Sequence, residues 1–250
     1  MNKVSIVGAG PGALDLITQR AIKLIKEADV LVWTDSLISP QIIRLSKKNC
    51  QLIPTSHLTL EDILPILINN SKEGKKVVRL HDGDPCLFSA LTEQIQLLKK
   101  ENIEVEIVPG ISAYQATAAA IQKELTIPGI TQTIILSRAS GRTGTPERES
   151  LEKLASIGAS LCLYLSARHV ESVEKTLLKY YPKETPVVIG YRVSWDDEWL
   201  KIVPLNLMSS TSKEKSLIRT TLYIISPALN TQGQRSKLYH STHKHLFRSK

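Results

Sequence analysis

Val4-Ser5-Ile6-Val7-Gly8-Ala9-Gly10-Pro11-Gly12 is the stretch on which the reading of this chain turns. A short β-branched run meets a glycine cluster within a dozen residues of Met1. A helical pattern follows at once: Leu14, Ile17, Ala21, Leu24, Ile25 and Ala28 recur at helical spacing and predict an amphipathic helix over 14–28. Strand, glycine turn, helix is how an open α/β sheet builds a ligand site at the carboxyl end of its first strand. Two ligand readings compete. As a dinucleotide fingerprint, Gly8-x-Gly10-x-x-Ala13 would lay a pyrophosphate on a helix N-terminus, and Asp35 falls where a ribose-binding acid belongs. Against it, Pro11 occupies a position that ordinarily offers a backbone N–H, and proline has none. The other reading is a glycine turn of a different nucleoside-binding fold. The plainest reading is a tight turn with no ligand.

Working outward, strands are predicted at 3–7, 30–34, 51–53, 76–80 and 105–108. Helices alternate with them. Thr59 reads as an N-cap with Glu61 and Asp62 in the first turn; Pro65 predicts a kink or a short element, and Gly74 ends it. Further helices are predicted at 88–100 and 112–122. This order implies a mainly parallel sheet, which places the turns 8–12, 82–85 and 109–112 on one edge. The pattern breaks near Lys123–Gly129, at Pro128-Gly129. A second set follows, with strands at about 132–136, 160–165, 186–191, 199–203 and 220–225 and helices at 147–156 and 168–179. The expected organisation is a domain at 1–123, a second at 124–228, and a flexible basic tail at 229–250, with no packed structure after Pro227.

Bulk properties narrow the function. Hydrophobic content of 42% and charged content of 22% are those of a soluble globular chain. No apolar run is long enough to span a bilayer, and the start is too short for an export signal, so a cytoplasmic, membrane-free protein is expected. The net charge of +8 is mostly a tail property: Arg235, Lys237, Lys244, Arg248 and Lys250 leave residues 1–229 at +3, so the body does not call for nucleic acid. Cys50, Cys86 and Cys162 are far apart and form no C-x-x-C pair, which argues against a disulfide framework and a metal site. Cys86 reads as a buried inert thiol rather than a nucleophile. His240, His243 and His245 read as part of a polar tail rather than metal ligands, and His81 as structural.

The acidic turn Asp82-Gly83-Asp84-Pro85 is the next clue. Carboxylates accept hydrogen bonds from ribose hydroxyls and favour cations over phosphates. A nucleoside bearing a sulfonium, such as S-adenosylmethionine, suits this turn better than a pyrophosphate. A turn made only for its own chemistry is the competing reading. In the third turn, Pro109-Gly110-Ile111-Ser112-Ala113, Ser112 can cap the next helix and small residues admit a flat base.

Taken in order, Gly8-Ala-Gly-Pro-Gly with Leu16-Ile17-Thr18, Gly83-Asp84-Pro85 and Val108-Pro109-Gly110-Ile111-Ser112 resemble the tetrapyrrole (corrin/porphyrin) methylases. Leu125-Thr126-Ile127-Pro128, Gln132 to Leu136, Gly141-Arg142-Thr143, Glu149-Ser150-Leu151 and Tyr191-Arg192-Val193-Ser194-Trp195 are similar to the branch that methylates C11 of precorrin-4 in cobalamin synthesis. The likeness covers about 1–226. Each motif is weak alone; the ordered set is specific. Cys86, Phe88 and Ser89 depart from the family's Ser, Tyr and Gly, which puts cofactor affinity in doubt. Asp35 replaces a Gly at the substrate end, and Val193 and Asp196 stand where Ala and Pro are common.

The resemblance implies an α/β fold of two domains with mixed, largely parallel sheets and an active-site cleft between them. It implies S-adenosylmethionine as methyl donor, lined by Pro11, Asp82, Gly83, Asp84, Leu87, Ser112 and Ala113, and by Leu165, Val193 and Thr221. It implies a precorrin substrate facing the glycine turn at Gly10, with Asp35 near its end of the cleft, and a homodimer. Precorrins carry many carboxylates, so Arg138, Arg142 and Arg192 are the expected substrate cations. No metal and no nucleophile–base triad is expected, because methyl transfer from a sulfonium needs alignment and exclusion of water above all. The alternatives are a methylase acting at another tetrapyrrole position or on a macromolecule, an NAD(P)-dependent oxidoreductase, and a non-catalytic binding module.

Overall fold

A computed structural model describes residues 2–139, 144–230 and Lys244. They fall into two compact units, one within Met1–Ala116 and Arg192–Glu198, the other within Thr117–Tyr191 and Trp199–Lys250. The grouping of Arg192–Glu198 with the first unit is not anticipated by a division of the chain in sequence order.

The first unit runs β1 (Lys3–Gly8), α1 (Gln19–Glu27), β2 (Val30–Trp33), α2 (Pro40–Ile43), β3 (Gln51–Pro54), α3 (Leu60–Lys72), β4 (Val77–His81), α4 (Leu91–Lys100), β5 (Glu104–Val108) and into α5 (Ala113–Ala120). The sheet order is β3-β2-β4-β1-β5 and every pairing is parallel. Strands covered on both faces read as continuous apolar runs, which is why β1 and β4 are buried almost throughout. One face packs Val7, Leu31, Val78 and Leu80 against Ala21, Ile25 and Ile42. The other packs Val4, Ile6, Val32 and Val77 against Ile63, Leu67 and Leu98.

The helix predicted over 14–28 is corrected. Residues Leu14–Leu16 form a single 3-10 turn, Ile17 and Thr18 are extended, and α1 starts only at Gln19. Thr18 sets that start, its hydroxyl accepting from the Ala21 N–H at 3.2 Å. Pro65 does not confine α3 to a short element, since the helix runs 13 residues through it. Proline here is solvent-exposed and frees only the Glu61 carbonyl, on a side that water reaches. A reciprocal Thr59–Asp62 capping box fixes the start of the same helix.

The second unit carries β6 (Ile134–Arg138), α6 (Leu151–Ala155), β7 (Ser160–Tyr164), α7 (Val170–Leu177), β8 (Pro186–Tyr191), β9 (Trp199–Pro204), α8 (Met208–Glu214) and β10 (Thr221–Ile225). Its sheet, ordered β6-β7-β10-β8-β9, is mixed: β6 and β7 are parallel and the other pairings antiparallel. The short connection Arg192–Glu198 allows β8 and β9 no other arrangement. Leu161, Leu163, Val187, Ile189, Tyr223 and Ile225 form the core with Val173, Leu177 and Met208. The expectation of no packing after Pro227 fails at once, since Ala228 and Leu229 are buried in a final 3-10 turn. Of the remaining tail only Lys244 is described; His240, His243 and His245 lie outside the described residues.

Candidate cofactor and substrate site

Parallel strands bring the three turns to one edge of the first sheet, and there they are bonded to each other. The Ala9 N–H donates to the His81 carbonyl at 2.7 Å. Gly10 and Gly83 exchange N–H···O bonds of 3.2 and 2.9 Å, a two-residue antiparallel bridge that joins the first turn to the second. One Asp84 oxygen accepts from the Gly110 N–H at 2.9 Å and the other from Cys86 N–H at 2.8 Å, joining the second turn to the third. Such approaches need missing side chains. A Cβ on Gly8 would meet Gly110 N and Gly83 O at 2.7 Å.

This geometry removes the dinucleotide reading. β4 lies between β1 and β2, so Asp35 at the end of β2 is two strands from the glycine turn, roughly 10 Å across the sheet. Its carboxylate is spent on the exit of β3: Oδ1 accepts from Thr55 and Ser56 N–H at 3.0 and 2.7 Å, and Oδ2 from the Ser56 hydroxyl at 2.7 Å. Those bonds hold its pKa below the ordinary carboxylate value against an opposing desolvation. The glycine turn does not open α1 either, since Gly12 is followed by a 3-10 turn and α1 starts seven residues later.

Of the two acids in the turn, Asp84 is committed to backbone N–H groups and Asp82 opens to solvent. The protein packed around Asp82 still raises its carboxyl above the ordinary value, with its own N–H and the Arg79 guanidinium pulling the other way. Arg79 is buried in β4, its Nη1 donating to the Thr55 hydroxyl at 3.3 Å, and burial brings its pKa down to about 10. His81, also buried, is pushed down to about 3 by burial and then by Arg79, so it is neutral at physiological pH.

Gly83, at φ +56°, sits 3.7 Å from the Ser112 Cα on the basis of an added Cβ. Ser112 precedes α5, and its N–H is held by Gln115 Oε1 at 2.9 Å. Leu87 is half-buried beside Asp84, whose carbonyl accepts its N–H at 3.1 Å. Pro11, Gly10, Asp82, Gly83, Asp84, Leu87, Ser112 and Ala113 therefore share one sheet edge; Arg192 and Val193 belong to a segment grouped in the same unit.

Arg138, Leu165 and Thr221 share one end of the second sheet. Arg138 ends β6 opposite Tyr164, the residue before Leu165. The β7–β10 register puts Thr221 beside Leu165. Leu165 takes φ +51° and is 64% exposed, a left-handed apolar residue on the surface. Thr221 is buried, its hydroxyl donating to the Arg219 carbonyl at 2.9 Å. Arg142 lies outside the described residues. Cys86 is exposed, which corrects the expectation of a buried thiol. Its pKa is nevertheless raised, by desolvation first and then by Asp84, so it remains protonated.

Ser194 and Trp195 take part here as well, although neither stands among the residues expected to line the site. Trp195 Nε1 donates to the Pro11 carbonyl at 3.0 Å and the Ala13 N–H donates to Ser194 Oγ at 3.0 Å. A tryptophan in the polar run Ser194-Trp195-Asp196-Asp197-Glu198 was the available signal.

A parallel α/β sheet whose carboxyl edge carries glycine and acidic turns is a nucleoside-binding architecture. The chain belongs to the family Tetrapyrrole (Corrin/Porphyrin) Methylases, which it matches over residues 3–207. It is 40% identical to the cobalt-precorrin-4 C(11)-methyltransferase of Priestia megaterium, covering 98% of this chain and 97% of that protein. It is 37% identical to the precorrin-4 C(11)-methyltransferase of Pseudomonas aeruginosa, with 98% of each covered. The solved structure of the cobalt precorrin-4 methyltransferase CbiF superposes with a TM-score of 0.88 at 38% identity, over 92% of this chain and 96% of that one. Among the described residues no helix is long and apolar enough to cross a membrane.

Proposed function

We propose that this protein is an S-adenosylmethionine-dependent methyltransferase that methylates C11 of precorrin-4 or cobalt-precorrin-4, giving the corresponding precorrin-5. The end-to-end likeness to relatives of that activity carries the reading. The local chemistry supports it. An open carboxylate at Asp82, beside a glycine free to take the left-handed turn, suits ribose hydroxyls and a sulfonium and disfavours a phosphate.

The donor supplies a methyl on a positively charged sulfur with a neutral thioether as leaving group. The chain's own part is placement. Asp82, Gly83, Leu87, Ser112 and Ala113, with Pro11 and Val193, hold the donor. Asp84 holds the turns at fixed spacing. Gly10, Arg138, Arg142 and Arg192 meet the acceptor, Arg138 and Arg142 pairing its carboxylates while Arg192 is already paired with Asp197, and Asp35 keeps the neighbouring loop in place. Apolar residues exclude water from the displacement. A cytoplasmic homodimer belongs to the same proposal.

The test supplies labelled S-adenosylmethionine with precorrin-4, with and without cobalt. Label at C11 is the expected result. Absence of label from any corrinoid under both conditions would overturn it. Label at another carbon would move the chain to a sibling activity, a reading that the 35% identity to a uroporphyrinogen-III C-methyltransferase of Methanocaldococcus jannaschii keeps in view.

A further inference from the structure

The segment Arg192–Glu198 is built as a rigid hook. Arg192 and Ser194 both take left-handed backbone, at φ +44° and +67°, a conformation that non-glycine residues adopt at a cost. Bonds within the segment hold it there. Trp195 N–H donates to the Arg192 carbonyl at 2.9 Å, Glu198 N–H to the Trp195 carbonyl at 3.0 Å, and Ser194 N–H to a Glu198 carboxylate oxygen. The Arg192 guanidinium lies 4.9 Å from the centre of the Trp195 ring and pairs with Asp197 at 2.6 Å.

The hook seats on the glycine turn. Trp195 Nε1 takes the Pro11 carbonyl, Ser194 Oγ takes the Ala13 N–H, and Gln41 on α2 donates to Asp196. Between those two backbone anchors sits Gly12, at φ +154°, where a Cβ would lie 2.3 Å from Trp195 Cδ1. The indole therefore occupies the volume that any side chain at residue 12 would need. Gly10 is fixed separately, by its bridge to Gly83. Pro11, Gly12 and Ala13 lie past that bridge, and this hook contacts all three.

We propose that Trp195 is a positioning residue for the methyl donor: together with Ser194 it locks the segment Pro11–Ala13, and so Pro11, into one wall of the donor site. The inference rests on the methyltransferase reading above, which places Pro11 against the donor. Trp195 acts through Pro11, whose carbonyl its indole N–H holds. The lock is a property of donor binding, separate from the displacement itself.

The test compares Trp195→Phe, which keeps a ring and removes the N–H, with Ser194→Ala, which removes the second anchor. Titration calorimetry with S-adenosylhomocysteine measures affinity, urea unfolding measures stability, and the methyl-transfer assay separates KM for the donor from kcat. Each variant should bind S-adenosylhomocysteine roughly five- to ten-fold more weakly, because a wall loosened in the free protein must be ordered when the donor binds, at about 1 kcal/mol. KM for the donor should rise with it, while kcat at saturating donor stays within about two-fold. Unchanged affinity in a folded Trp195→Phe variant would overturn the proposal, with or without a loss of stability, as would a fall in kcat with affinity intact. Should Trp195→Phe fail to fold, Ser194→Ala decides the question. Failure of the wild-type protein to bind S-adenosylhomocysteine would instead remove the donor reading itself.

Discussion

A Cβ added at Gly110 would lie 2.0 Å from the carbonyl oxygen of Gly83, well inside contact distance. The obstacle is backbone on both sides, and that backbone is pinned. Gly83 is bridged to Gly10, and the Gly110 N–H is held by Asp84. Nothing can swing aside. Gly110→Ala should destabilise the protein by about 3 kcal/mol or more, because overpacking here must break the ties between turns. Gly144→Ala, where no atom lies within 4 Å of the added methyl, is the comparison and should be near neutral. Urea midpoints of the two variants check this, and equal midpoints would refute it.

The two acids of the middle turn should separate cleanly. Asp84 is already saturated by backbone donors from Cys86 and Gly110. Asp84→Asn replaces one acceptor oxygen by a donor, turns a good contact into N–H facing N–H, and should cost about 2 kcal/mol of stability. Asp82 opens to solvent. Asp82→Asn removes a charge that the surrounding protein disfavours, so stability at neutral pH should hold or rise slightly. It should weaken S-adenosylhomocysteine roughly ten-fold, if its carboxylate accepts from the ribose. The pair of measurements, unfolding and calorimetry on both variants, fails the assignment if the two effects are reversed.

How far the sequence carried follows from what is local. The β-branched run before Gly8 and the turns at 82–85 and 109–112 were legible, because strands and turn residues announce themselves within a few positions. Their placement on one sheet edge followed from the βαβ order. The insertion of β4 between β1 and β2 did not, since strand order is decided by packing between distant segments. That insertion disposed of the role first read into Asp35. The start of α1 was misread because Leu14 and Ile17 happen to continue the period of Ala21 and Ile25 across a break. The signal that Thr18 caps was present but subordinate. α8 was missed because Met208-Ser209-Ser210-Thr211-Ser212 has weak helix propensity. Packing supplies what propensity lacks: buried Ser212 donates to Met208 and receives the Tyr223 hydroxyl. Trp195 was quoted as part of a motif, but its partner Pro11 is 184 residues away, beyond any local pattern.

His81 makes stability depend on pH in a stated window. In the unfolded chain its imidazole protonates near 6.5, whereas in the fold it is held to about 3. Between those values the unfolded state binds a proton that the folded state does not, so stability falls as pH falls from 6.5 toward 3. The contribution is at most about 1.4 kcal/mol per pH unit. His81→Gln should flatten the stability–pH profile between pH 6.5 and 4.5, above the range where most carboxylates titrate. Arg79 is the second cause of the shift, after burial. Arg79→Met should therefore raise the His81 midpoint, which imidazole NMR titration reads directly. An unmoved midpoint would show that the two groups do not feel each other.

Thiol chemistry offers an independent reading of the same turn. Cys86 is exposed while Cys162 is buried, with its pKa pushed up to about 12 by desolvation. A maleimide reagent should therefore modify Cys86 in the native protein and reach Cys162 only on unfolding. The Cys86 reaction should nonetheless be slow for an exposed thiol. Desolvation and the adjacent Asp84 carboxylate both raise its pKa and leave little thiolate at neutral pH. Asp84→Asn removes that charge and should accelerate labelling at pH 7 several-fold, with a lower apparent pKa in the rate–pH profile. Urea titration of the same variant separates this effect from loosening of the turn. A variant that is destabilised but labels at the wild-type rate with an unshifted profile would show that Asp84 ties the backbone without setting the electrostatics around Cys86.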